Sequence, residues 1–126
     1  MDSGSQTPIL MKNNPLLDRS FAFAIQIVTV SRQLGSRKEF VISKQLLKSG
    51  TSVGANIEEA IAASTKRDFA YRMSVACREC RETRYWLRLI QATSMLEDEL
   101  GSMIDESTEL IKILTKIVKT SGEAPQ

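Results

Sequence analysis

Four glutamates, two cysteines and a run of arginines are the residues of this chain whose types and spacing could do chemistry. Glu58 and Glu59 stand together in SGTSVGANIEEA (Ser49–Ala60), and Glu79 and Glu82 lie in CRECRETRYWLRL (Cys77–Leu89). Paired carboxylates can pass a proton when a pocket splits their pKa values, or hold a metal when further ligands complete the set. In ferritin-like bundles, glutamates from several helices work with Glu-x-x-His pairs. This chain has no histidine. That removes the usual general base, the commonest metal ligand and every nucleophile–histidine triad. The glutamates therefore read as partners in ion-pair and hydrogen-bond networks. No catalytic residue is assigned, and no metal or other cofactor is expected.

Cys77 and Cys80 form a C-x-x-C pair, but inside a helical pattern and without a second pair. Redox pairs sit at a helix start after a strand, and structural zinc takes four ligands. Both cysteines read as small buried hydrophobes. GTSVG (Gly50–Gly54) lacks the lysine and preceding strand of a phosphate-binding loop. Two glycines four apart on a helix fit a close helix crossing better.

Stepping along the 126 residues, the composition is that of one soluble domain, with 42% hydrophobic and 25% charged residues and a formal net charge of +2. Of the three prolines, Pro8 and Pro125 lie in polar tails and Pro15 at a helix start, a distribution that favours helices. The apolar runs stop well short of a bilayer span, and Met1–Asn13 lacks the layout of a secretory signal. A cytoplasmic protein without a membrane partner is expected.

Four segments carry helical periodicity, and none alternates with period two. Asn14-Pro15 opens the first helix as N-cap and N1 proline. Its inward line is Leu16, Ser20, Phe23, Ile27, Val30 and Leu34, and Gly35-Ser36 breaks it. The second helix is predicted from about Glu39 to Ala63, with Leu46, Gly50, Val53, Ile57 and Ala60 inward. The third follows Ser64, with Thr65 and Asp68 as an aspartate version of the capping box. Phe69, Met73, Ala76, Cys80, Thr83, Leu87 and Ile90 form its seam. The fourth is predicted to begin near Glu97-Asp98-Glu99, acids suited to a helix N-terminus. It continues through Leu100, Ile104, Ser107, Ile111, Leu114 and Val118 to Gly122. The expected architecture is an all-α, up-down-up-down antiparallel four-helix bundle over residues 14–120. A flexible extension over residues 1–13 and a disordered tail over 121–126 flank it.

Two faces exceed what a monomer needs. Away from its core line the second helix carries Ser52, Ala55, Glu59 and Ala62, mostly small residues where long charged ones are usual. The third helix has a second apolar line, Tyr71, Val75, Trp86 and Leu89, and a helix apolar on two sides is usually covered on two sides. Both lines point to a subunit contact, with Trp86 as its anchor. The third helix also carries Lys66, Arg67, Arg81, Arg84 and Arg88 within about 100° of its wheel. The plain alternative is a solvated face with local pairs such as Arg78–Glu82 at i, i+4. In an antiparallel bundle, however, the start of the third helix and the end of the fourth share a pole. There Lys66 and Arg67 join Lys112, Lys116 and Lys119, an attractor for phosphate. Arg32, Arg37 and Lys38 mix with the acids Glu97–Glu99 at the opposite pole.

The two segments quoted first closely resemble the four-helix-bundle proteins whose founding members are encoded in intervening sequences of bacterial large-subunit ribosomal RNA genes. Asn56 and Glu59 fall on that family's N-I-x-E-A motif. Glu79, Glu82 and Trp86 fall on its E-x-x-E-T-x-x-W-L motif, with Arg72 one turn after Asp68. Cys77 and Cys80 stand where relatives tend to have apolar residues or alanine. The resemblance implies a bundle without established enzymatic role, assembled as a five-fold ring. It also implies similarity to the basic pentameric accessory protein of diversity-generating retroelements, which works with a reverse transcriptase. The expected function is a non-enzymatic homo-oligomer, a pentamer, binding structured RNA or DNA through Lys66, Arg67, Arg81, Arg84, Arg88, Lys116 and Lys119. The alternative is a protein–protein adaptor, for example for a reverse transcriptase.

Overall fold

The computed structural model describes residues 14–122; the expected extension over residues 1–13 and the end of the tail, residues 123–126, lie outside the described residues. Four helices follow one another: α1 (Pro15–Ser36), α2 (Phe40–Ile61), α3 (Lys66–Ala92) and α4 (Gly101–Thr120). Each packs antiparallel on its sequence neighbour, α2 and α3 most extensively, while α1 and α4 meet along a thinner seam. The result is the expected four-helix bundle. No helix among the described residues is long and apolar enough to cross a membrane.

Local signals explain the ends. The Asn14 side chain accepts from the Leu16 N–H at 3.1 Å, with Pro15 supplying the first helical position. The Thr65 hydroxyl accepts from the Asp68 N–H at 3.0 Å, half of the expected capping box. Gly122, at φ +83°, ends α4 in the left-handed region that suits glycine. The α1–α2 turn uses Lys38 at φ 65° instead of Gly35, which stays inside α1. α2 is two residues shorter at its C-terminus than predicted, ending at Ile61.

The start of α4 differs more. Glu97, Asp98 and Glu99 are exposed residues of the α3–α4 connection, and the helix begins at Gly101. Leu96 and Leu100 are buried in the core, and the Gln91 side chain accepts the Leu100 N–H at 2.9 Å. Anchoring two leucines holds the segment as a loop against the pull of its acids toward helix.

The core follows the inward lines. Phe23, Ile27, Leu34, Leu46, Val53, Ile57, Met73, Leu87 and Ile90 are all fully buried, while Phe69 is half-buried. On α4 the line shifts by one residue: Met103 and Leu110 are buried, and Ile104 and Ile111 only half so. Gly50 explains the closeness of α1 to α2, because a Cβ there would meet Ile27 Cγ2 at 2.6 Å. The α1–α4 seam is sewn by polar groups. Arg19 donates from Nη2 and Nε to the two Glu106 oxygens at 2.7 and 2.9 Å, and Gln33 donates to Asp98 at 3.2 Å.

Candidate nucleic-acid interface and subunit contacts

α3 and α4 turn a ladder of cations to solvent. Lys66, Arg67, Arg81, Arg88, Lys116 and Lys119 are exposed; Arg84 is half-buried, its Nε donating to Thr108 Oγ1 at 2.9 Å. Antiparallel packing brings the α3 start and the α4 end to one pole. The ion pairs among the described residues are Arg19–Glu106, Arg37–Glu97 and Lys112–Glu109. None involves those seven cations. The Arg78–Glu82 pair does not form either: Glu82 instead accepts the Trp86 indole N–H at 3.1 Å.

The two poles differ in kind. At the pole with the α1–α2 turn, Arg37 meets Glu97 at 3.8 Å and donates to the Met95 carbonyl at 3.1 Å. Arg37 and Glu97 are thus paired within the chain, whereas Arg32 and Lys38 form no ion pair among the described residues. The other pole is divided: basic over α3 and α4, it carries exposed Asp18, Glu58 and Glu59 over α1 and α2. That acidic half follows from the topology and was not drawn from the sequence.

The two quoted motifs share one face, between α2 and α3. Arg72 donates to Asn56 Oδ1 at 3.3 Å, and Asn56 donates to the Ser52 carbonyl at 2.8 Å. Glu59 is exposed and Glu79 half-buried, neither in an ion pair. On the proposed contact lines Ala55, Ala62 and Tyr71 are exposed, and Ser52, Val75 and Leu89 half-buried. Trp86 is half-buried against its own core, with Tyr85 edge-on at 5.1 Å. Part of its surface is thus already committed within the chain.

Sequence reasoning missed a third feature. Phe21, 64% exposed, lies at the groove between α1 and α2, while Ile25, 54% exposed, lines a separate hollow toward α4 with Gln26, Asp98 and Met103. The α1–α2 groove, of about 410 Å³, is lined by Phe21, Ala24, Gly54 and Ala55 together with Glu58 and Glu59. The signal was a second four-spaced apolar line on α1, parallel to the one through Phe23 and Ile27. Tyr85, 53% exposed, and Tyr71, 56%, form with Arg78 a ridge at seven-residue spacing on α3.

Cys77 and Cys80 are buried free thiols. Cys80 Sγ lies 3.5 Å from the Ser107 carbonyl and Cys77 Sγ 3.5 Å from Thr115 Oγ1, so the pair packs α3 onto α4. Burial pushes the Cys80 thiol up to about 12, well away from a reactive thiolate.

Comparison with known proteins places these features in a lineage. The pattern of the 23S rRNA-intervening sequence protein family is met over residues 12–116. A crystal structure of a protein of unknown function from the S23 ribosomal protein family of Bacteroides thetaiotaomicron is similar. It shows 42% identity, covers 82% of this chain and 98% of its own, and superposes with a TM-score of 0.78. No curated protein matches the chain.

Proposed function

Because the chain belongs to the 23S rRNA-intervening sequence protein family, we propose that it is a non-enzymatic, homo-oligomeric helical bundle of the cytoplasm that binds structured RNA or other nucleic acid. The observation that carries this reading is the set of seven cations on α3 and α4 that form no ion pair among the described residues. Paired charges gain little from a polyanion, whereas unpaired ones release condensed counterions when they meet phosphate. Repeated around a ring of subunits, a pentamer by family resemblance, the basic half-pole multiplies that term. Contact between subunits runs through the outer lines of α2 and α3, Ser52, Ala55, Glu59 and Ala62 with Tyr71, Val75, Trp86 and Leu89. Specificity comes from matching the shape of a folded RNA to this array of charges.

The test is binding of a labelled ribosomal RNA stem-loop and a DNA duplex across a salt series. Affinity falls steeply with salt for the parent. Neutralising Lys66, Arg67, Lys116 and Lys119 together weakens binding and flattens the slope at unchanged assembly mass. If both nucleic acids are ignored at low salt, or the quadruple variant binds as the parent does, an adaptor for an acidic protein surface, such as a reverse transcriptase, replaces this reading.

A further inference from the structure

Resting on the nucleic-acid reading above, we infer that Tyr85 is a stacking platform for an unpaired base, and that the arginines around it hold the phosphates of the same single strand. What α3 grips is then an unpaired stretch, such as the loop of a folded RNA, rather than the rungs of a duplex. Tyr85 is 53% exposed. Helical spacing sets it among cations: Arg81 one turn before it, Arg88 one turn after it and Arg78 two turns before it, all exposed. None of the three forms an ion pair among the described residues.

The ring is held in place. Trp86 meets it edge-on, with centroids 5.1 Å apart and planes inclined at 71°. Trp86 is itself fixed, packing against the core and donating its indole N–H to Glu82 at 3.1 Å. That bond also engages the carboxylate nearest to Tyr85 in the sequence. An edge-on neighbour takes at most one face of the tyrosine, which leaves the other for a base.

Stacking of this kind orders a base without reading it, because every base has a π-face. Arg81 and Arg88 are seven residues apart on the helix, about 10 Å along its axis. That is the length of about three stacked nucleotides, at one charge per 3.4 Å of strand. Within a duplex the bases are stacked on one another and closed to Tyr85, so the platform adds affinity only for an unpaired strand.

The experiment uses the full chain and two short strands of equal length and charge, an oligodeoxyadenylate and the same backbone without its bases, with a folded ribosomal RNA stem-loop as reference. The parent binds the base-bearing strand about 5- to 150-fold more tightly than the abasic one, the worth of one stacked base. Tyr85→Leu removes that preference and leaves the salt slope unchanged, whereas Tyr85→Phe, which keeps the ring, keeps the preference. Arg81→Gln with Arg88→Gln weakens binding of both strands and flattens the slope. A parent that binds the stem-loop but both strands equally overturns the platform alone, without recourse to any variant. A Tyr85→Leu protein that keeps the preference, or a Tyr85→Phe protein that loses it, also overturns it. A parent that ignores both strands and the stem-loop at low salt overturns the nucleic-acid reading as well.

Discussion

Replacing Gly50 with alanine should destabilise the bundle, although the same change usually favours a helix. A Cβ at position 50 would lie 2.6 Å from Ile27 Cγ2 and 2.7 Å from Cγ1, about 1 Å inside ordinary carbon contact. Ile27 is fully buried and, being β-branched, has one favoured rotamer in a helix, so it cannot swing aside. Either α1 and α2 separate or the rotamer is strained, at about 1–3 kcal/mol. Against this stands a propensity gain of about 1 kcal/mol. The net loss is up to about 2 kcal/mol, or a fall in Tm of up to about 8 °C for a chain of this size. Gly54→Ala is the internal control. Its new Cβ would meet Ser20 Oγ at 3.4 Å, an ordinary contact, so it should gain about 0.5–1 kcal/mol. Urea and thermal unfolding at one fixed protein concentration compare the three proteins. In an Ile27→Ala background, which removes both clashing carbons, Gly50→Ala should lose its cost. A Gly50→Ala protein as stable as the parent would refute the close-crossing argument.

Raising pH should act on Cys80. Its folded pKa is raised, chiefly by burial, from 9.0 to about 12; the neutral thiol therefore contributes stability that is whole below pH 9 and is lost as pH climbs toward 12. Cys80→Ala should flatten the alkaline fall in stability measured by urea unfolding, and native protein at pH 8 should resist thiol reagents until denatured. Cys77→Ala with Cys80→Ala should keep the fold and any nucleic-acid binding, with some stability lost to cavities. Arg19→Ala should cost about 1 kcal/mol or less, because the bidentate pair with Glu106 is partly exposed and screened by water; the difference should shrink in high salt. Trp86→Ala and Ala55→Arg should each lower the assembly mass seen by light scattering.

What could be read from the sequence was whatever is local or periodic. The Asn14-Pro15 and Thr65 caps need only a few residues to act, and both are found. The line Leu46–Gly50–Val53–Ile57–Ala60 repeats along α2 and is wholly buried. The start of α4 was misread because its acids favour a helix end by a few tenths of a kcal/mol, whereas burying Leu96 and Leu100 is worth more. Glu82 illustrates a competition that spacing cannot settle: Arg78 and Trp86 both lie four residues away, and the indole takes the carboxylate. The cation ladder was legible as a wheel sector. That its cations form no ion pair among the described residues depends on which acids lie within reach across helices. Phe21 and Ile25 escaped notice for a related reason: periodicity reveals a second apolar line but not whether a neighbouring helix covers it.

The thin α1–α4 seam bears on how the chain finds its fold. Nearly all packing joins helices adjacent in sequence, so each step closes a short loop and little entropy is lost before contacts form. Low contact order of this kind goes with folding in microseconds to milliseconds. Among the described residues this seam joins the first helix to the last, and side-chain bridges such as Arg19–Glu106 close it. It should therefore zip last and open first. Native-state hydrogen exchange would see α1 and α4 fray independently around a more durable α2–α3 hairpin.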